Sequence, residues 1–411
     1  MPSTLVMSEP PEDVAARSIR VTAVEVLVVR GAAPVPPAGD KQRQVRAESF
    51  YDSRRAPYRE PAQPWTGGVM TSYYLRIGTD AGVDGLYGPI DPETTWPILK
   101  QLGPQLVGGD ALAITVHWDM LERLDRHGRH GHYKMALSAI DNALWDVRGR
   151  VYGAPVWQLL GGSARERIPA YLSTLGTSLD LDNVREVAAA AQAEGFWGQK
   201  WFLGDGPADG AEGLARNVAI AETVRETVGP DERIMFDVFN GWDLSYARSW
   251  AQRVEHLRPT WLEEPFGQNH FPAFEALQRS TSVPISTGEH IYDRQELLQY
   301  LQAGVLAAAQ VDPEWCGGVT ELARMCAIAD VFSVPVIPHG HGMHAAIHVI
   351  ASQSPAVCPT AEYLGRTMPN RHHFEVDPPV PVKGSFALPA RPGFGIRLDD
   401  GKIDEISTLQ Y

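Results

Sequence analysis

The feature that most constrains this sequence is a series of short apolar runs that each end on an acid at equal spacing. The runs close on Asp237, Glu263 and Glu289, and 26 residues separate each acid from the next. An apolar run that ends in acids and then proline, as in 261–265 (WLEEP), is typical of a buried strand reaching its carboxyl end. The interval accommodates one strand, one loop and one helix, which is the repeating unit of a (β/α) barrel.

The three acids are expected to lie together, because the carboxyl ends of consecutive barrel strands meet at one mouth. Without partners, Asp237, Glu263 and Glu289 would repel one another and would be costly to bury. Carboxylate oxygens are the ligands that hard divalent cations prefer. The spacing therefore predicts a site for a Mg²⁺-type ion built from these three side chains.

Further ionisable residues recur at similar intervals along the chain. They are Lys200 upstream, and Asp312, His339 and Glu362 downstream, the last three at intervals of 23, 27 and 23 residues from Glu289 onward. In a (β/α) barrel the carboxyl ends of the strands carry the chemistry, whereas the opposite face is structural. Seven ionisable residues in phase therefore indicate an active site at this mouth.

The types of these residues suggest separate roles. Lys200 would offset charge that develops on a substrate carboxylate beside the cation. His339 is the candidate base, because an imidazole with a pKa of about 6.5 works near neutrality. Asp312 would accept a hydrogen bond from the other ring nitrogen of His339. Glu362, surrounded by carboxylates, is expected to have a raised pKa and to donate a hydrogen bond to the substrate.

Three more residues are candidates for substrate binding, with alternatives open for each. His290 follows Glu289 directly and would either touch the substrate or support the metal ligand. Arg55 and Tyr58 lie in a long excursion rich in proline and arginine, which is too long for an idle connector and is either a lid or an exposed loop without a role. His341 and His344 are more typical of structural loop histidines.

Composition limits the partners and the compartment. A chain of 411 residues accommodates a large barrel and an accessory domain. The net charge of −14 argues against nucleic acid and anionic membranes as partners. The three cysteines have no metal-finger spacing and are expected to be free thiols. With no signal peptide and no run of about 20 apolar residues, we expect a cytoplasmic location.

These motifs resemble those of the enolase superfamily, specifically its mandelate racemase subgroup. The segments that carry the resemblance are 136–146 with 159–162, 261–265, 288–289, Asp312 with Gly317 and Gly318, Pro335 with His339, and 392–395. The resemblance covers most of the chain. It implies an α/β fold in which an α+β capping domain closes over a modified (β/α)₈ TIM barrel, and it implies bound Mg²⁺ and a homo-oligomer.

The resemblance and the element pattern together predict four segments. Residues 1–18 would be a disordered tail, and 19–150 an N-terminal α+β capping domain. Residues 151–364 would form the (β/α) barrel, since strands and amphipathic helices alternate there. Residues 365–411, rich in proline and glycine, would return to the capping domain.

One departure from the subgroup bears on the reaction. Racemases of this type carry Lys-X-Lys on the second barrel strand, but Phe202 stands at the position of the second lysine. The Asp-X-His motif of some sugar-acid dehydratases is also absent after Asp237. His339 is then the remaining base, as in the one-base layout of rhamnonate dehydratases, to which the pair Glu289-His290 is also similar.

A single base suits removal of an α-proton followed by loss of a β-hydroxyl. We therefore expect a Mg²⁺-dependent dehydratase that converts an acid sugar to a 2-keto-3-deoxy acid. The alternatives are a racemase, epimerase or other isomerase of a carboxylic acid, which would need a second base such as His290, and a binding protein that has kept the fold. Loops near 54–65 and 87–89 would set the sugar specificity.

Overall fold

The computed structural model describes residues 18–35, 41–55, 59–60 and 66–411. The predicted disordered tail, 1–18, lies outside the described residues except for Ser18. Within the described part of the chain, no helix is long and apolar enough to cross a membrane.

The structure contains fourteen strands and eleven α-helices in its described residues. The strands are β1 (Val21–Ala32), β2 (Lys41–Gln42), β3 (Arg59–Glu60), β4 (Val69–Thr79), β5 (Gly85–Ile90), β6 (Arg167–Ser173), β7 (Gln199–Phe202), β8 (Ile234–Asp237), β9 (Trp261–Glu263), β10 (Ile285–Thr287), β11 (Ala308–Ala309), β12 (Ala361–Leu364), β13 (Ser385–Ala387) and β14 (Glu405–Thr408). The helices are α1 (Ile114–Leu124), α2 (Gly131–Val151), α3 (Val156–Leu159), α4 (Leu181–Ala193), α5 (Gly210–Val228), α6 (Leu244–Val254), α7 (Phe271–Gln278), α8 (Arg294–Ala303), α9 (Gly318–Val331), α10 (Met343–Ser352) and α11 (Met368–Arg371).

An antiparallel sheet with the strand order β14-β1-β4-β5 forms the first layer of the molecule. Its last strand in the chain, β14, pairs with β1 over Leu27 to Arg30, so the carboxyl-terminal segment joins the amino-terminal sheet. Helix α2 packs directly on β5. Gly85 permits this approach, because a Cβ at that position would lie 2.4 Å from the carbonyl oxygen of Ala143.

A curled parallel sheet forms the second part, with the path β12-β6-β7-β8-β9-β10-β11. The pairing of β12 with β6 places the last barrel strand of the chain beside the first. Val336 makes a parallel bridge to Ala309 of β11 and takes the remaining place between β11 and β12 in chain order. Helices α4 to α10 connect these positions, which is the expected TIM-barrel arrangement with a separate antiparallel layer.

The barrel strands are buried on both faces. All four residues of β7, of β8 and of β12 are buried, including the polar and ionisable ones. Burial on both faces is expected for strands covered by helices on one side and by the barrel core on the other. Helices α4, α6 and α8 are preceded by the N-cap residues Asp180, Asp243 and Asp293, whose side chains accept hydrogen bonds from backbone N–H groups of the first turn.

All three cysteines are free and buried, as expected. The sulfur atoms of Cys326 and Cys358 lie 3.8 Å apart. Cysteine thus behaves here as a small apolar residue of the barrel wall.

Candidate active site

The acids that end the strands lie side by side at the carboxyl end of the barrel. Asp237 is the last residue of β8 and is in register with Glu263, the last residue of β9. Glu289 follows β10 after Gly288, whose φ of 145° turns the chain. A Cβ on Gly288 would lie 2.7 Å from the backbone nitrogen of Gln310, so glycine is needed at this close approach.

Lys200 lies at the centre of the acid cluster and is buried. Its ammonium nitrogen is 2.5 Å from Glu263 Oε1, 2.8 Å from Glu362 Oε1 and 3.1 Å from Asp237 Oδ2. Burial alone would lower the pKa of Lys200, but these carboxylates outweigh burial and raise it well above its ordinary value. Lys200 is therefore a fixed positive charge.

The cluster holds more carboxylates than this one ammonium can neutralise. Burial, together with Glu289 and Glu264, raises the pKa of Asp237 to about 6, against the effect of Lys200. Burial raises the pKa of Glu263 to about 8, against Lys200, with Asp237 and Glu362 adding to the rise. The mouth is thus short of positive charge.

Glu289 shows the same shortage of positive charge. Burial and the neighbouring Glu264 raise its pKa to about 7, against the opposing effects of His339 and His290. Glu289 Oε2 lies 3.3 Å from Nε2 of His339, and Glu289 Oε1 lies 3.5 Å from Nδ1 of His290.

Sequence reasoning missed Glu264 as a member of the site. Its φ of 44° is in the left-handed region, which is uncommon outside glycine and turns the chain just beyond β9. Glu264 Oε1 accepts a hydrogen bond from His290 Nδ1 at 2.9 Å, and Glu264 Oε2 accepts one from Asn240 Nδ2 at 2.9 Å. The sequence signal for Glu264 was the pair of adjacent acids in 261–265. The alternation of side chains along a strand would have placed Glu264 on the face opposite to that of Glu263.

His339 and Asp312 form the predicted pair. Asp312 Oδ2 is 2.8 Å from His339 Nδ1, so Nδ1 carries a proton and donates a hydrogen bond to the carboxylate. The other ring nitrogen, Nε2, is left on the side of Glu289. Burial by itself would lower the pKa of His339, but Glu289 and Asp312 outweigh it and raise the pKa to about 10.

Glu362 differs from the expectation of a raised pKa. Burial acts in the expected direction, but Lys200 and His339 outweigh it and lower the pKa of Glu362 to about 2. The ionised carboxylate accepts a hydrogen bond from the backbone N–H of Gly340 at 2.9 Å. The predicted hydrogen-bond donation by Glu362 is therefore wrong for this arrangement; its catalytic role stays a prediction.

The predicted substrate-binding residues have different surroundings. His290 is part of the mouth, and Glu264 raises its pKa to about 9 against the effect of burial. Arg55 contacts the loop after β7: its guanidinium donates a hydrogen bond to the carbonyl of Ala208 at 2.9 Å and lies 3.4 Å from Asp209. Tyr58 lies outside the described residues.

A polar network joins the antiparallel layer to the barrel mouth. His341 Nε2 lies 3.0 Å from both carboxylate oxygens of Asp91, which directly follows β5. Arg371 bridges Asp91 at 3.2 Å and Glu314 at 2.9 Å, and Tyr87 donates to Glu314 at 2.9 Å. His341 is thus a contact between the two layers. His344 makes a different contact: its Nε2 lies 2.8 Å from Glu375 Oε2.

The chemistry of the mouth fits a hard divalent cation. The oxygen donors of Asp237, Glu263, Glu264 and Glu289 are buried, and burial together with neighbouring acids raises the pKa values of Asp237, Glu263 and Glu289. Donor atoms of Glu264, Glu289 and His290 lie within 4.8 Å of one another. A divalent cation with oxygen ligands would offset this charge.

Two family models match this chain. Residues 52–161 match the model described as mandelate racemase / muconate lactonizing enzyme, N-terminal domain. Residues 182–402 match the model described as enolase C-terminal domain-like. The two matches include β4 and β5 of the antiparallel layer and the barrel strands from β7 to β12.

Known proteins of this type are similar along most of their length. An L-rhamnonate dehydratase of Saccharopolyspora erythraea is 31% identical over 352 residues, which are 83% of this chain and 87% of that protein. The crystal structure of rhamnonate dehydratase from Gibberella zeae complexed with Mg superposes with a TM-score of 0.78 at 27% identity, covering 93% of this chain and 96% of the other. An enolase superfamily member from Polaromonas sp. JS666 superposes with a TM-score of 0.76 at 26% identity, covering 93% and 96%.

Proposed function

Because this chain belongs to the mandelate racemase subgroup of the enolase superfamily, we propose that it is a Mg²⁺-dependent acid-sugar dehydratase that yields a 2-keto-3-deoxy acid. The observation that carries the proposal is the 2.8 Å contact between Asp312 and His339 beside a buried carboxylate cluster. The similarity to an L-rhamnonate dehydratase over 83% of the chain supports a six-carbon sugar acid as the first substrate to test.

Asp237, Glu263 and Glu289 would hold the cation, with Glu264 next to them. Bound there, Mg²⁺ would neutralise a substrate carboxylate and make the proton on the adjacent carbon easier to remove. Lys200 would place a second positive charge beside that carboxylate, since three acids already hold its ammonium group in the cluster.

His339 would remove the α-proton. Its Nδ1–H is held by Asp312, and its raised pKa comes chiefly from Glu289, whose charge would be offset when Glu289 holds the cation. The lone pair of Nε2 would then be the one available to accept a proton from the substrate. The imidazolium formed in this way would then give its proton to the β-hydroxyl as that group leaves as water. One residue would thus serve two successive proton transfers, and no other acid is required for the elimination.

Phe202 supports elimination over epimerisation. It stands two residues after Lys200, where its side chain is buried and its ring centroid lies 5.3 Å from the lysine nitrogen. A phenyl ring has no proton to exchange, so this position cannot deliver a proton to the opposite face of the substrate. The alternative function, an isomerase or epimerase, would need a base such as His290 instead.

The direct test is a screen of acid sugars with purified protein in Mg²⁺, beginning with L-rhamnonate. The expected result is stoichiometric release of a 2-keto-3-deoxy acid from one or a few stereochemically related acids. A His339→Asn preparation purified in the same way controls for contaminating dehydratases. Absence of keto-acid release from every acid sugar in a stereochemically complete five- and six-carbon set would contradict the proposal.

A further inference from the structure

Trp315 is a residue of the mouth to which the reaction above gives no role. It follows Asp312 closely, and its backbone N–H donates to the carbonyl of Asp312 at 3.0 Å. Its ring centroid lies 5.0 Å from that of His339, 5.0 Å from that of His341 and 5.5 Å from that of His290. The indole is therefore in ring contact with three imidazoles from two loops, the one after β10 and the one that carries the base.

The indole N–H of Trp315 is buried and has no hydrogen-bond partner among the described residues. Other indoles differ: those of Trp118, Trp145, Trp157, Trp242 and Trp261 each donate to an oxygen at 2.7 to 2.9 Å. An unmade hydrogen bond at a buried donor carries a free-energy penalty, and at a functional site it indicates a missing partner.

One other buried indole, that of Trp250, also lacks a partner among the described residues, but its surroundings are different. Trp250 is fully buried in the barrel wall, where its ring contacts Phe236 and Trp242. Among the described residues, no imidazole is in ring contact with it. Trp250 is thus an indole in an apolar core, whereas Trp315 is an indole among titratable groups at the mouth.

We propose that the Nε1–H of Trp315 donates a hydrogen bond to a hydroxyl oxygen of the acid sugar and that its ring forms one wall of the sugar site. This inference rests on the proposed function. A reacting α-carbon must come within roughly 3–3.5 Å of the base. Because the Trp315 ring lies next to His339, the carbons beyond the α-carbon are within reach of the indole.

A hydroxyl is the expected partner rather than the substrate carboxylate. The carboxylate belongs with Lys200 and with the cation that the acid cluster would hold, which together would supply the positive charge for it. Trp315 contacts the imidazoles instead, and a neutral indole N–H matches a neutral hydroxyl oxygen. Trp315 would therefore select for the position of a hydroxyl along the sugar chain.

The test compares Trp315→Phe, which keeps an aromatic ring and removes the N–H, with Trp250→Phe as the matched control. On the acid sugar that the wild-type enzyme dehydrates, kcat/KM should fall roughly three- to thirtyfold for Trp315→Phe. It should stay within about twofold for Trp250→Phe, where the same unpartnered group is lost away from the mouth.

Monodeoxy analogues of the same substrate identify the contact. For one hydroxyl beyond C3, deoxygenation should lower kcat/KM of the wild-type enzyme by a similar factor and should have no further effect in Trp315→Phe. The pH dependence of kcat should keep its shape, because His339 is unchanged. Equal penalties at every position in both proteins, unchanged kcat/KM in Trp315→Phe, or a displaced pH profile would overturn the inference.

A second measurement does not depend on how well Trp315→Phe folds. In His339→Asn protein labelled with ¹⁵N at tryptophan, saturating acid sugar should shift the indole N–H resonance of Trp315 and leave that of Trp250 in place; an unmoved Trp315 resonance would contradict the contact. If the wild-type enzyme dehydrates no acid sugar, the proposed function is wrong and this inference falls with it. If it does and Trp315 has no effect, only the inference is wrong.

Discussion

At the scale of single residues, the paired His339 and Asp312 carry the strongest prediction. His339→Asn should lower kcat by at least about 10²–10⁴, because positioned acid–base catalysis contributes that much and one imidazole serves both proton transfers. The measurement is steady-state turnover of the acid sugar found in the screen. Near-normal turnover in this variant would show that another group is the base.

Asp312→Asn separates orientation from basicity. The amide keeps the shape of the carboxylate but offers an N–H where His339 Nδ1–H now donates over 2.8 Å, which favours the wrong tautomer. We expect a severe loss of kcat with a smaller change in KM. Asp119→Asn, at an exposed acid that pairs with Arg123 on α1, should leave both parameters unchanged and serves as the control.

Phe202 leads to a prediction about stereochemistry. If His339 is the only base, the enzyme should deprotonate one α-configuration and should not interconvert α-epimers. In D₂O, recovered substrate should show no inverted α-carbon, whereas the keto acid should gain deuterium at C3 when its enol ketonises. Deuterated, α-inverted acid as the main product would favour the epimerase alternative, with His290 as the second base to be tested.

At the scale of elements, helix α10 should make the stability of the protein sensitive to acid. His348 on this helix is fully buried, and its Nδ1 accepts a hydrogen bond from the backbone N–H of Trp157 at 3.1 Å. Burial, assisted by the charge of His344, lowers the pKa of His348 to about 3. The native state therefore keeps this imidazole neutral at a pH where the unfolded chain protonates it.

The sign of the effect follows from linkage. The contribution of His348 to stability is complete above the unfolded pKa of about 6.5 and is lost as the pH falls toward the folded value, at up to about 1.4 kcal/mol per pH unit. Between pH 6.5 and 5 this amounts to about 2 kcal/mol. His348→Asn, which retains an acceptor for Trp157, should show a flatter pH dependence of thermal unfolding than the wild type.

A control for this measurement is His127→Asn, at an exposed loop histidine. The variant should keep the pH dependence of the wild-type protein, because this side chain is exposed and its replacement leaves the buried His348 unchanged. Equal pH slopes for wild type and His348→Asn would show that His348 does not remain neutral in the folded protein.

Ion pairs hold residues 43–55 to the loop after β7. Arg43 Nη2 lies 3.0 Å from Asp205 and 2.9 Å from Asp209, and Arg55 also lies on Asp209. Arg43 is nearly buried, so these pairs are less screened than surface ion pairs. The loop after β7 is thereby attached to the segment that the sequence indicates as either a lid or an exposed loop without a role.

Asp209→Asn should loosen this attachment without touching the chemistry. We expect KM for the acid sugar to rise about three- to tenfold with little change in kcat, because an ordered closing loop contributes to substrate binding. Asp182→Asn, at an exposed acid paired with Arg185 on α4, is the matched control. Unchanged KM in Asp209→Asn would show that the ion pairs have no part in substrate capture.

At the scale of the whole molecule, cation binding should connect stability to activity. Chelation should abolish turnover and Mg²⁺ should restore it. A cation that binds only the folded state stabilises it by about 2.7 kcal/mol at 100 times its dissociation constant, so the thermal unfolding midpoint should rise with Mg²⁺ concentration.

Substitutions in the acid cluster test where the ion binds. At a fixed Mg²⁺ concentration, the rise of the unfolding midpoint should be smaller in Asp237→Asn and in Glu289→Gln than in the wild-type protein. In chelator, the midpoint of each variant should fall less than that of the wild-type protein, because each substitution removes a carboxylate that is unfavourably buried without the cation. Full activity in a verified metal-free preparation would remove the Mg²⁺ requirement, and an undiminished Mg²⁺ effect in both variants would place the ion elsewhere.

The sequence by itself determined the architecture and the composition of the mouth. The acids at 237, 263 and 289 recur at 26 residues because each barrel unit needs a strand, a loop and a helix of limited length. The carboxyl ends of such units meet in any barrel. The convergence of Lys200, Asp237, Glu263 and Glu289, and the pairing of Asp312 with His339, could therefore be expected without coordinates.

Only the tertiary structure decided which groups are partners inside that mouth. Glu264 joins the site because a left-handed backbone turn directs it there, against the alternation of a strand. Glu362 is ionised because Lys200 lies 2.8 Å away, and Trp315 is left with an unpartnered N–H among three imidazoles. These contacts join residues far apart in the chain at distances of a few ångströms, and the Coulomb and hydrogen-bond terms that fix them depend on side-chain geometry rather than on spacing.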